Sequence, residues 1–371
     1  MLYLQTKDGG ILVEGEKISR ILVNGEQPPA QAKKIDLRDL TVTPGLIDIH
    51  VHGGNNHDVM DGTYEAINAI SLHKLKEGVT SFCPTTLTAP EEQTLQAIAN
   101  IRQAKEKGVD GARIIGGFLE GPFLNPQYKG AHPESDLLPP KRIHIEKMLE
   151  AGQGAISSIA IAPELPGALE IIEWLTSIGI QTRIGHSAAT LAETDNAVKK
   201  GANTAIHFYN AMSPLHHREP GMTGAVLTNP HIYAELICDF VHAHKRAVEV
   251  LVRSKQEIIL VSDCIRAGGL PDGNYTLGNE SVTVQNGIAR NQNGALAGST
   301  ICLIEAIKNM HHIMGVPLTQ TIAMATSAPA KALGIYDKVG SIEPGKFADI
   351  IGLDNNLEVH FTMIGGRINQ A

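Results

Sequence analysis

The stretch PGLIDIHVHGG, residues 44–54, sets two histidines one residue apart at the close of an apolar run. Residues two apart in a strand share a face, so His50 and His52 project together, with Asp48 behind them on that face. One such histidine is accounted for by ordinary hydrogen bonding in a half-buried strand. Two imidazoles side by side at a strand's end point instead to a metal. Other apolar stretches close in the same manner: ARIIGGFLE in Glu120, IQTRIGH in His186, ANTAIH in His207 and EIILVSD in Asp263. Buried polar groups are costly unless engaged, so residues of this kind at matching strand ends imply one shared centre. Four imidazoles and a carboxylate suit Zn²⁺ or Fe²⁺ better than Mg²⁺ or Ca²⁺, which prefer oxygen. Five such ligands exceed the three that a single catalytic zinc takes from protein, and two ions bridged by Glu120 would use them all. Asp263 has another use. A carboxylate beside a metal-activated water can take its proton and later return it to a leaving group. The chemistry described is hydrolysis of an amide or ester.

Positioning these residues requires a repeating frame. Short apolar strands near 46–52, 79–86, 113–120, 157–163, 181–186, 203–208, 233–239 and 257–263 are mostly separated by helix-like segments. EEQTLQAIANIRQAKEKG and GALEIIEWLTSIG are examples, each closed by a glycine stop. Eight such repeats predict an α/β fold, a TIM-like (β/α)₈ barrel over 44–336 with its chemistry at the C-terminal ends of the strands. Residues 1–43 and 337–371 read instead as strands and tight turns, and predict a small β-sandwich domain formed from the two terminal segments. The polar, hairpin-like GNYTLGNESVTVQNGIARNQNGALAGST after the eighth strand reads as an inserted flap beside the site.

The bulk properties narrow the partners. The chain has 371 residues, 43% of them hydrophobic and 19% charged, which suits a globular protein with a large core. A net charge of −8 and the lack of any basic, aromatic-interleaved stretch argue against nucleic acid. The opening MLYLQTKDGGILVEGEKI lacks a basic region ahead of a long apolar segment, and no run reaches membrane-spanning length. The expectation is a soluble, cytoplasmic protein. Cys83, Cys238, Cys264 and Cys302 are scattered, so reduced, buried thiols are expected rather than a disulfide framework. Cys264 adjoins Asp263 but has no evident electropositive neighbour, and reads as packing.

Taken together, PGLIDIHVHG, TSFCPTTLT, GFLEGPFLNPQYKGAHPE, IAPE, IGHSAAT, HFYNAMSPLHHREPG, VSD, GALAGST and GSIEPGKFADI resemble the amidohydrolase superfamily. EGPFLNPQYKGAHPE and HFYNAMSPLHHREPG resemble more closely its N-acetylglucosamine-6-phosphate deacetylase branch. That resemblance implies Glu120, His186 and His207 as constant metal ligands, His50 and His52 as a first-strand pair, and one or two divalent ions, Zn or Fe. It implies Asp263 as the catalytic acid and base, and His132 as a donor to the acetyl carbonyl. Arg218 and His242 are implied as phosphate contacts, Arg218 reaching across from a neighbouring subunit of a homodimer. Ala131, Asn210, Ala211, Leu296 and Ala297 are implied as contacts to the sugar phosphate. The expected substrate is a small amino-sugar phosphate. A cyclic amidase, a deacetylase of the galactosamine epimer and a barrel that has lost its chemistry remain as rivals. No Lys closes a barrel strand, which counts against the cyclic amidases that use a carboxylated lysine.

Overall fold

Residues 1–369 are described by a computed structural model, and 370 and 371, the last of the expected terminal segment, lie outside the described residues. Eight strands form the centre: β1 (Leu46–Val51), β2 (Val79–Thr86), β3 (Gly117–Phe123), β4 (Ile156–Ile161), β5 (Gln181–Ile184), β6 (Ala202–Ala205), β7 (Tyr233–Leu236) and β8 (Ile258–Leu260). Each pairs in parallel with the next. Just past β8 the ring turns back on β1: the Asp263 amide donates to the His50 carbonyl at 3.0 Å and Val51 bridges Cys264 in parallel. The architecture is the expected α/β barrel. Its strands are apolar on both sides because both sides are buried, as parallel sheets require. Ile47, Phe118, Ile206, Ile237 and Ile259 fill an inner cluster. Leu46, Ile67, Ile70, Ile98, Ile101 and Leu175 pack the strands against the surrounding helices.

Two irregularities depart from the sequence reading, and both act on the candidate ligands. Between the pairs Asp48–Phe82 and Val51–Pro84, β1 runs three residues against two of β2. The extra residue is a β-bulge, and it breaks the alternation of faces. Asp48 therefore does not lie behind the histidines: it faces outward to Ser262 and Lys74, whereas His50 faces inward to Glu120 and Phe118. The expected third strand is also broken. Arg113–Ile114 pairs Ser81–Phe82, but Phe118 pairs Thr85, so one extra residue intervenes at Gly116 and Gly117. The strand resumes past Glu120 to Phe123, leaving Glu120 inside the strand rather than at its end.

The segment read as a flap is a three-stranded antiparallel sheet, Gly273–Leu277, Glu280–Gln285 and Ile288–Asn291. Leu277, Val282, Val284 and Ala289 bury one face against Leu87, Ile265 and Ala297. Its first turn is moored: the Gly278 amide donates to buried Asp58 at 3.0 Å, and the Asn279 amide to Gln93 at 2.8 Å. At the chain's ends, a four-stranded sheet from residues 2–36 and another that joins Thr41–Pro44 to Ile350–Leu353 and Val359–Ile364 share one small core of Leu4, Ile11, Val13, Ile350, Phe361 and Met363. Among the described residues no helix is long and apolar enough to cross a membrane.

Behind β1 lies a buried ion network. Lys74, on the helix Tyr64–Lys76, is wholly buried, 3.0 Å from Glu77 and 3.4 Å from Asp48. Asp48 in turn accepts the Ser262 hydroxyl at 2.6 Å, one residue before Asp263. Burial alone would raise the Glu77 carboxyl, but the Lys74 ammonium and His73 hold it down at about 2. Lys74→Met strands two carboxylates, and a loss of roughly 3–5 kcal/mol in denaturant unfolding is expected. Because Glu77 is depressed from an ordinary 4.5 to about 2, its contribution is present above that ordinary value and lost as pH falls toward 2. The stability gap between wild type and Lys74→Met should narrow over that window. A gap independent of pH would show that Glu77 gains nothing from Lys74.

Candidate metal centre and active site

The strands deliver their polar ends to one carboxylate. Glu120, only 3% exposed, presents each oxygen to a different pair of imidazoles. Its Oε1 lies 3.2 Å from His186 Nε2 and 3.0 Å from His207 Nε2. Its Oε2 lies 2.9 Å from His52 Nε2 and 3.3 Å from His50 Nε2. Asp263 Oδ1 approaches the second pair alone, 3.3 Å from His52 and 3.4 Å from His50. His186, His207 and Asp263 stand just beyond the ends of β5, β6 and β8, with φ of 46°, 28° and 49°. This left-handed region is sparsely used outside glycine, and it turns each side chain inward where a continuing strand would carry it past.

Electrostatics explain why these groups sit together. Burial pushes the Glu120 carboxyl up, but the nearby His50 charge and hydrogen bonds from His186 and His207 bring it well below its ordinary range. Burial likewise disfavours charge on His52, yet hydrogen bonds to Asp263 and Glu120 carry it up to about 9. The carboxylates thus require positive charge in a place water hardly reaches. The donor atoms of His50, His52 and Glu120 lie within 4.8 Å of one another, a spacing and chemistry that fit a divalent ion such as Zn²⁺ or Fe²⁺. Metal-binding imidazoles ordinarily donate their far ring proton to an oxygen. His50 Nδ1 meets Glu235 Oε2 at 3.0 Å, His186 Nδ1 the Tyr128 carbonyl at 2.7 Å, and His207 Nδ1 the Asn210 carbonyl at 3.2 Å. Of these four imidazoles, only His52 has an Nδ1 that is buried without a partner among the described residues.

A cavity of about 380 Å³ opens onto this centre. His52, Glu120, His186, His207, Asp263, His132, Ala131, Asn210, Ala211, His242 and Leu296 all line it. Burial and then repulsion from His186 hold the His132 imidazole well below its ordinary range. His242 stands in the turn before the helix Lys245–Ser254, not on it, and its Nδ1 lies 2.7 Å from Asp239 Oδ2. Three of the expected residues do not line the cavity: His50 stands behind His52 and Glu120, and Ala297 and Arg218 lie elsewhere. The Ala297 amide is taken up by the Ala289 carbonyl at 3.2 Å, and its side chain is buried behind the wall. Arg218 sits in an exposed loop against His217, at 2.6 Å. Burial pushes the Cys264 thiol up to about 12, in keeping with packing.

Sequence reasoning missed Glu235 and Arg183. Arg183 Nη1 donates to Glu235 Oε1 at 3.0 Å and to the Ile49 carbonyl at 2.8 Å, with its guanidinium 4.0 Å over the Phe118 ring. Both are wholly or nearly buried inside the barrel. Their signal was a charged residue in the middle of an apolar strand, in YAEL and QTRI. Leu277, from the inserted sheet, and Gln127 also line the cavity.

The model of the amidohydrolase family matches residues 41–368. An N-acetylglucosamine-6-phosphate deacetylase of Vibrio furnissii is 39% identical over 91% of this chain and 85% of its own. An N-acetylgalactosamine-6-phosphate deacetylase of Escherichia coli O157:H7 is 40% identical over 88% of this chain and 86% of its own. Among solved structures, an N-acetylglucosamine-6-phosphate deacetylase from Pasteurella multocida superposes over the whole of both chains with a TM-score of 0.93 at 30% identity.

Glu235→Gln keeps the volume but removes the anion behind His50. Chelator competition should show divalent-metal affinity weakened by about 10- to 100-fold, the usual effect of losing such a partner. Unchanged affinity would mean that Glu235 serves only to neutralise Arg183.

Proposed function

Since this chain belongs to the amidohydrolase family, we propose that it hydrolyses the acetamide of N-acetyl-D-glucosamine 6-phosphate to D-glucosamine 6-phosphate and acetate, in amino-sugar breakdown. The observation that carries this reading is Asp263, whose carboxylate faces the cavity beside the His50–His52 pair and stands apart from the other histidines. His50, His52 and Glu120 Oε2 would hold one divalent ion, and Glu120 Oε1, His186 and His207 a second. An ion bound there supplies a polarised water and a Lewis acid for the amide carbonyl. Asp263 takes the proton of the attacking water and returns it to the departing amine nitrogen. His132 donates to the carbonyl oxygen as negative charge gathers on it.

The cavity's volume, about 380 Å³, is in the range for a small ligand. His242 serves as a phosphate contact from the cavity wall, its ring oriented by Asp239 at Nδ1. Asn210, Ala211, Ala131 and Leu296 shape the sugar's surroundings, and Ala297 supports Leu296 from behind the wall. Arg218, exposed and outside its own cavity, fits a phosphate contact made in a neighbouring subunit, which makes a homodimer the working form. A second reading, the galactosamine epimer, is favoured by the 40% identity to the E. coli relative that bears that name.

Acetate release should be fast and chelator-sensitive for one phosphorylated epimer and much slower for the unphosphorylated sugar. Equal rates with and without phosphate would remove Arg218 and His242 from their roles. Asp263→Asn should keep metal and KM while kcat falls by about 10²- to 10⁴-fold. Near-normal turnover in that variant would dismiss Asp263 as the proton carrier.

A further inference from the structure

The atom facing Nδ1 sets His132 apart from three of the four imidazoles around Glu120. His50, His186 and His207 set Nδ1 against oxygens of Glu235, Tyr128 and Asn210. A carboxylate or carbonyl there keeps the ring proton on Nδ1 and leaves Nε2 with a free lone pair, the form that binds a cation. His132 has the opposite environment. Its Nδ1 lies 2.8 Å from the Thr88 hydroxyl and 3.4 Å from the Thr88 backbone amide. An amide N–H can only donate, so Nδ1 is the acceptor and the proton resides on Nε2. That nitrogen lies 3.8 Å from Glu120 Oε2, at the edge of the centre. Distance alone would group His132 with Glu120 and His186 as metal donors. The hydrogen bond argues otherwise.

Thr88 closes the motif TSFCPTTLT, two residues beyond β2, and is itself buried. The backbone opposite is shaped to admit its hydroxyl. Gly121 has a φ of 86°, and a Cβ on it would fall 2.0 Å from Thr88 Oγ1. We propose that Thr88 is a positioning residue that holds His132 as an Nε2–H donor and so keeps it out of the metal-binding set. The catalytic consequence rests on His132 donating to the acetyl carbonyl. The tautomer itself does not depend on that reading.

Thr88→Val removes the hydroxyl at nearly constant shape, and Thr88→Ser restores it. In Thr88→Val, kcat should fall by about 10- to 100-fold, less than the loss of a whole oxyanion donor, with KM and bound metal unchanged. Thr88→Ser should recover most of that loss. The remaining amide, at 3.4 Å, is a weak donor by itself, so long-range ¹H–¹⁵N spectra of ring-labelled histidine, with the His132 signal identified by its absence in His132→Asn, should show Nε2–H alone in wild type and Thr88→Ser but a mixture with Nδ1–H in Thr88→Val. An unchanged His132 signal or wild-type kcat in Thr88→Val would overturn the proposal. An equal loss in Thr88→Ser would overturn it too, since packing rather than the hydroxyl would then be responsible. If wild type released no acetate from either sugar while the tautomer pattern held, the deacetylase reading would fail and the assignment of Thr88 would stand.

Discussion

Glu120 is an anion in a nearly dry place, and the mouth of the barrel is organised by the need to neutralise it. An isolated carboxylate in such a site would cost several kcal/mol or take up a proton. Four imidazoles from three separate strand ends avert that, two to each oxygen. The same need extends outward. His50 leans on Glu235, and Glu235 on Arg183, so the charge alternates in sign from the cavity into the barrel's interior. Arg183 finds its own place over the Phe118 ring, among the apolar side chains that fill the barrel.

A regular strand could not deliver these side chains. In β1 the bulge turns His50 inward while leaving Asp48 outside, where it secures Ser262 and so the approach to Asp263. Two faces of one short segment are thereby put to different uses, a charge network behind and a ligand pair in front. Asp263 is held from a third side as well, because its carbonyl accepts the Ser299 amide at 2.8 Å. The inserted sheet adds a fixed wall: its hairpin turn is tied to Asp58, and Leu277 reaches the cavity.

Much of this was legible in the sequence, for a simple physical reason. A polar residue ending an apolar strand is conspicuous, and the β/α rhythm says which strand ends gather at one mouth, so His50, His52, Glu120, His186, His207 and Asp263 could be grouped without coordinates. The bulges could not be seen, because nothing in LIDIHV marks the residue that slips register against β2. Glu235 and Arg183 were overlooked because a charge inside a strand gains its meaning only from what lies across the barrel. Thr88 was within a noted motif, yet a hydroxyl has no sequence signature for the ring nitrogen it meets. Arg218 is the limiting case: its motif was plain, but its own chain offers it only His217.

The left-handed backbone at His186, His207 and Asp263 also limits how this centre can be altered. L-residues other than Asn, Asp and His seldom adopt that conformation, and a left-handed residue costs roughly 1–2 kcal/mol. An engineer seeking thiolate or glutamate ligands at the mouth would be changing the turn as well as the donor atom, at three places at once. The positions outside that region, His50, His52 and Glu120, are the ones open to retooling. The donor set of this centre is therefore restricted as much by chain geometry as by side-chain chemistry.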